Sequence, residues 1–146
     1  LAQEIHRAQR YKQPFALIMF DIDHFKAIND TYGHELGDRI LEELAEEVSN
    51  RLREADLFAR WGGEEFMALL PETDAGGAHQ VAEAVCHQVA DRAFPGVGGL
   101  TISLGVAEYR DHEALKDVTK RVDEALYAAK EAGRNRVVVD GEDSST

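Results

Sequence analysis

Six consecutive apolar residues, Phe15 to Phe20, run directly into Asp21-Ile22-Asp23, and that junction limits the folds open to the chain. The run is short enough for a strand and apolar on both faces, as a central strand of a sheet covered on both sides would be. Carboxylates at the end of such a strand must meet positive charge or reach water. A second acidic stretch, Arg60-Trp61-Gly62-Gly63-Glu64-Glu65-Phe66, lies between an alternating run from Leu57 to Trp61 and a continuous one from Phe66 to Leu70. Its glycines read as a tight hairpin tip between antiparallel strands. Glu64 and Glu65 are then either an acidic turn in solvent or, with the acids after Phe20, an oxygen-rich cluster of the kind Mg²⁺ prefers, leaving room for substrate phosphates and water.

With 146 residues, the chain can build one domain with a sizeable core, but not two. Its net charge of −12 excludes a general nucleic-acid binder, because a phosphate polymer would be repelled except at a local basic site. Cys86 is the only cysteine, so no internal disulfide can form and a reducing compartment is expected. Beside Ala82 and Val89 at helical spacing it reads as a small buried hydrophobe. No apolar stretch approaches the ~20 residues that cross a bilayer, and no signal peptide is visible.

The remaining elements follow from periodicity. Leu1 to Gln13 predicts a helix ended by Pro14, and His24 to Asp30 a short one. Leu36, Ile40, Leu41, Leu44, Val48 and Leu52 share one face of a long helix, with Asp38 in its first turn and Arg53-Glu54-Ala55-Asp56 at its end. A helix is expected over about Asp74 to Arg92, with Ala78, Val81, Val85 and Val89 inward. Phe94 to Gly99 reads as a connector, and Ile102, Leu104 and Val106 as a strand. A last helix with Leu115, Val118, Val122, Leu126 and Ala129 inward stops at Gly133, before a strand over Val137 to Val139 and a disordered tail over Gly141 to Thr146. The fold class is α/β: a mixed, mainly antiparallel central sheet flanked by helices, with one domain over residues 1–140.

The run from Phe20 to His34 with Gly37-Asp38, the Gly-Gly-Glu-Glu-Phe stretch and the segment from Ala128 to Val137 together resemble the GGDEF family of diguanylate cyclases, over about Pro14 to Val139. The resemblance implies the palm-like fold of class III nucleotide cyclases and condensation of two GTP into cyclic di-GMP and two pyrophosphates. It implies Mg²⁺ or Mn²⁺ held by Asp21, the backbone carbonyl of Ile22, Glu64 and Glu65. Glu64 is also the candidate base, while Asp23 is either a weaker member of the cluster or structural. Lys26 stabilises developing charge, and Lys130 with Arg134, one helical turn apart, meets the phosphates; the alternative for any lone lysine is a solvated face. Asn29 and Asp38 would read the guanine, since a carboxylate can accept from N1 and N2 of guanine and adenine offers no such donors; capping is the alternative for Asp38. His34 either touches substrate or serves the helix start. Phe25 and Leu41 either wall the base pocket or pack the core, and Gly62 and Gly63 let the ligand approach the backbone.

Arg53 and Asp56 match the family's Arg-x-x-Asp inhibitory spacing, implying a second site for cyclic di-GMP; an intrahelical ion pair is the alternative. The family's usual Asp-x-Leu-Thr stretch upstream is missing, so a piece of a longer regulator with an upstream sensory or receiver domain is expected, in the cytoplasm. A homodimer, at least transient, follows from a two-fold symmetric product. The rival readings are a silent module that binds GTP or cyclic di-GMP, and a related enzyme using ATP or making a mixed dinucleotide.

Overall fold

The computed structural model describes residues 14–94 and 96–141. The helix expected over Leu1–Gln13 and the tail expected past Gly141 fall outside them. The described strands are β1 (Phe15–Ile22), β2 (Leu57–Gly62), β3 (Glu65–Pro71), β4 (Ile102–Glu108) and β5 (Val137–Val139). The helices are α1 (Phe25–Tyr32), α2 (His34–Ser49), α3 (Ala75–Asp91) and α4 (Leu115–Glu131). The sheet order is β2-β3-β1-β4-β5, with antiparallel neighbours except for parallel β4 and β5. It is the mixed, mainly antiparallel sheet that the sequence implies.

The apolar run of β1 is explained by its central place, for every residue of the strand is buried. Ala16, Ile18, Phe20 and Ile22 enter one core with Ile40, Leu44 and Val48 of α2 and Ala78, Ala82 and Val89 of α3. The alternate residues Phe15, Leu17 and Met19 enter a second core with Val118, Val122 and Leu126 of α4. Phe20 and Phe66 stack with ring centroids 5.2 Å apart, and Phe58 of β2 adds a third ring 5.6 Å from Phe66. Burying each such side chain stabilises the fold by roughly 1.5–3 kcal/mol.

The alternation in β4 has a different cause. Both faces are buried, but the face under α4 carries Ser103, Gly105 and Ala107, since the helix rides close. A Cβ at Gly105 would stand 2.4 Å from the Leu126 nitrogen and 2.5 Å from the Val122 oxygen. Cys86 is buried on α3 as expected, and burial foremost, with the charges of Glu83 and Asp23, pushes its thiol up to about 11.

Three expectations are corrected. Helix α2 ends at Ser49, where Ser49-Asn50 can bond the backbone in competition with the helix, so Arg53 to Asp56 lies in a turn and not on the helix. Leu52 still packs against the core from beyond the helix end. Because α2 begins at His34 after Gly33, Asp38 falls in its second turn; Glu35 is the first-turn acid and no side chain caps the helix. Val81 of α3 is only half-buried at the core margin, while its neighbour Ala82 is fully buried.

Candidate functional site

Strand register brings the two acidic stretches together. Antiparallel pairing of β1 with β3 sets Asp21 opposite Glu65. Across the hairpin Glu65 pairs with Gly62, after a shift in register between Arg60 and Gly62. Gly63 sits at the tip with φ 43°, a left-handed backbone that glycine adopts without strain. Arg60 Nε donates to its carbonyl oxygen at 2.6 Å, which braces the turn carrying Glu64. Both glutamates are half-buried.

Asp21 is 4% exposed. Burial is the main influence on its carboxyl and raises its pKa above the ordinary 3.8; Lys130 opposes this by hydrogen bond and charge, and the charges of Glu65 and Glu64 add to the rise. Lys130, in the last turn of α4, donates to Asp21 Oδ2. Asp21 Oδ1 is buried with no hydrogen-bond partner, a condition unfavourable by about 1–3 kcal/mol and more for a charged group.

That oxygen fits a divalent cation. Among the described residues no three His, Cys, Asp or Glu side chains form a ready-made cage. Mg²⁺ does not need one, as it takes one or two carboxylates and completes its shell with water and phosphate oxygens. Asp21, Glu64 and Glu65 supply carboxylates at one end of the sheet. Ile22, whose side chain is 3% exposed in the core, can offer its backbone carbonyl.

Asp23 stands apart from this set. Its carboxylate accepts from Thr101 Oγ1 at 2.7 Å, Ser103 Oγ at 2.6 Å and the Asn135 backbone N–H at 3.0 Å. Of the two readings the sequence leaves open, these contacts fit the structural one.

The other candidates lie on α1, on α2 and in the turn after α4. Lys26 is exposed in the first turn of α1. Arg134 is exposed in the turn after α4, with φ 64°. Asn29 Oδ1 is buried and without a partner, and it lies so near α2 that a Cβ at Gly37 would come within 1.9 Å of it. Asp38 and His34 are exposed on α2, and His34 is its first residue. Phe25 and Leu41 belong to the main core, the ordinary packing role.

Arg53 and Asp56 form a pair across a turn closed by Asp56 N–H to Arg53 O at 3.0 Å. The Asp56 side chain is 2% exposed against 57% for Arg53, with the guanidinium 2.8 Å from Asp56 Oδ1. Asp56 also accepts from the Arg53 backbone N–H at 2.8 Å. Arg53 reaches the carbonyl of Pro71 and the hydroxyl of Thr73, each at 3.0 Å. The hydrogen bond to Asp56 is the main cause that raises the Arg53 pKa further.

Sequence reasoning missed Gly37 as the seat of Asn29, Arg60 as the brace of the hairpin, and Thr101, Ser103 and Asn135 as partners of Asp23. The first two lie within the motifs that carry the resemblance. The last three give no local signal, because Asp23 meets them only in the folded sheet.

The chain matches the family described as "Diguanylate cyclase, GGDEF domain" over residues 1–136. It is 45% identical over 126 residues to the diguanylate cyclase DgcM of Escherichia coli K12, a match that covers 86% of this chain and 31% of DgcM. The chain thus spans about a third of that curated relative's length. Among solved structures it is similar to the GGDEF domain of DgcB from Caulobacter crescentus in complex with c-di-GMP, with TM-score 0.91 and 33% identity over 96% of this chain and 85% of that one. It is similar as well to the active GGEEF domain of a diguanylate cyclase from Vibrio cholerae, with TM-score 0.90 and 34% identity over 97% of this chain and 92% of that one. Acids joined by strand register, a glycine hairpin and a family match over nearly the whole length lead to one conclusion: this chain belongs to the GGDEF domain family of diguanylate cyclases.

Proposed function

We propose that residues 1–140 form a catalytic domain that condenses two GTP into cyclic di-GMP and two pyrophosphates. The observation that carries this reading is the pairing of Asp21 with Glu65, with Lys130 on one Asp21 oxygen and no partner on the other. In each half-reaction the 3′-hydroxyl oxygen of one GTP attacks the α-phosphorus of the other. A new P–O bond forms, the bond to pyrophosphate breaks, and the hydroxyl proton leaves. Mg²⁺ or Mn²⁺, when bound, supplies charge neutralisation at the phosphates and a lowered hydroxyl pKa. Asp21, Glu64, Glu65 and the Ile22 carbonyl would hold it, and Glu64 would take the proton.

Lys26, Lys130 and Arg134 stabilise charge on the triphosphate and the departing pyrophosphate. Asn29 and Asp38 select guanine, His34 borders the base, Phe25 and Leu41 back the pocket from the core, and Gly62 and Gly63 allow close approach at the hairpin. Each domain holds one GTP, so two copies meet face to face to join two nucleotides. Were the chain part of a longer protein, an upstream sensory or receiver domain would set how often they meet. Glu64→Ala should reduce cyclic di-GMP formation by at least about a hundredfold, measured by chromatography after incubation with GTP and Mg²⁺. Retained turnover in that variant would remove Glu64 from the mechanism.

Arg53 with Asp56 is assigned to a second site for cyclic di-GMP, where the exposed guanidinium can clamp phosphate oxygens or stack on guanine and bound product slows the enzyme. Calorimetry with cyclic di-GMP should show Arg53→Ala weakening binding about tenfold or more, and unchanged affinity would dismiss the site.

A further inference from the structure

Asp23 lies just past β1 and is 5% exposed. Its Oδ1 accepts from Ser103 Oγ, and its Oδ2 from both Thr101 Oγ1 and the Asn135 N–H. Its own N–H donates to the Thr101 carbonyl at 2.9 Å. Protein donors thus occupy three of the roughly four acceptor sites of this carboxylate.

The segment that Asp23 grips has an uncommon backbone. Gly133, Arg134 and Asn135 follow one another with φ of 125°, 64° and 48°. Glycine accepts such angles freely and asparagine tolerates them, whereas arginine holds one only where the surroundings over-determine the turn. Arg134 N–H donates to the Ala129 carbonyl at 3.0 Å, and Arg136 Nε to the Arg134 carbonyl at 3.0 Å. These bonds close the turn on its own neighbours. The bond from Asn135 to Asp23 ties it to the acidic end of β1, where Lys130 already meets Asp21. The Arg134 side chain is left exposed at this junction.

We propose that Asp23 is a positioning residue: through the Asn135 amide it holds the turn that presents Arg134 to the triphosphate, and it does not ligate the divalent ion. This rests on the reading of Arg134 as a phosphate contact. Asp23→Asn keeps the size of the side chain and can keep its carbonyl on the Asn135 N–H with its NH₂ donated to Ser103 Oγ, but it removes the charge that strengthens the grip on the turn.

The test is calorimetric titration with 3′-deoxy-GTP, which lacks the attacking hydroxyl and so reports binding whether or not the chain turns GTP over. Mn²⁺ binding without nucleotide is followed in parallel by electron paramagnetic resonance. Asp23→Asn should weaken 3′-deoxy-GTP about tenfold, leave Mn²⁺ affinity within about twofold, and cause no further loss in an Arg134→Ala background. If Asp23→Asn does not fold, Thr101→Val removes one donor from the oxygen that holds Asn135 and should give the same pattern at smaller size. Loss of Mn²⁺ binding in the Asp23 or Thr101 variant, or nucleotide losses that multiply with Arg134→Ala, would overturn the proposal. Absence of cyclic di-GMP from the unaltered chain with GTP would instead sink the cyclase reading and leave this binding test standing.

Discussion

Asp21 and Asp23 stand two residues apart and are both buried, yet they meet different partners. Asp21 faces a lysine and keeps one oxygen free of any partner, whereas Asp23 accepts on both oxygens, from two hydroxyls and a backbone amide. The sequence shows two like acids and leaves their roles open, because the donors that separate them arrive from β4 and from the turn before β5. Asn29 is a similar case: its motif is legible, but its seat is not. With a Cβ at Gly37 only 1.9 Å from Asn29 Oδ1, Gly37→Ala must move that amide. Loss of the hydrogen bond proposed between this amide and the base should weaken 3′-deoxy-GTP binding by up to about tenfold, with thermal stability as the control for folding. Equal affinity in the alanine variant would show that Asn29 does not contact the nucleotide.

At the scale of elements, hydrophobic period located each described strand and helix but not all of their ends. Leu52 continues the apolar spacing of α2 and so extends the expected helix; the backbone leaves it at Ser49, and Leu52 reaches the core from the following segment. That early stop lets Arg53 and Asp56 form their turn and point the arginine outward. The small face of β4 carries a different lesson. Hydrophobic alternation picks out Ile102, Leu104 and Val106 and passes over Gly105, but Gly105 is where α4 touches the sheet backbone. Gly105→Ala should cost about 1–3 kcal/mol by overpacking, read as a lower denaturant midpoint at unchanged slope. A midpoint equal to that of the unaltered chain would mean that α4 can lift without loss.

Across the whole molecule, the charged residue that ties distant parts together is one that pattern reading passes over. Arg121 of α4 donates to Glu113 at 2.7 and 2.6 Å, to Asp140 at 2.7 Å and to the Glu108 carbonyl at 2.7 Å. It thereby joins the helix, the loop before it and the chain after β5. Burial alone would raise the Glu113 pKa, but hydrogen bonds from Arg121 and the Arg110 backbone, with both positive charges, hold it below the ordinary 4.5. A lowered folded value means that this stabilisation is present above the unfolded pKa and is lost as pH falls through the folded one. Below about pH 4.5 the melting temperature should therefore fall more steeply for the unaltered chain than for Glu113→Gln; parallel curves would show that the cluster contributes nothing. No described helix is long and apolar enough to cross a membrane.

The pairing of Asp21 with Glu65 belongs to the same ladder that aligns Phe20 with Phe66 and Met19 with Met67. A one-residue slip anywhere between Phe66 and Leu70 would turn every side chain of β3 to the opposite face. It would send Phe66 out of its ring stack into the smaller core that holds Met67 and Leu69 and carry Glu65 away from its partner in a single event. A single-residue insertion or deletion along this stretch therefore strikes the packing and the acid pair together, whereas a point change at the hairpin tip can strike the acids alone. Length on that strand is guarded by packing and chemistry at once.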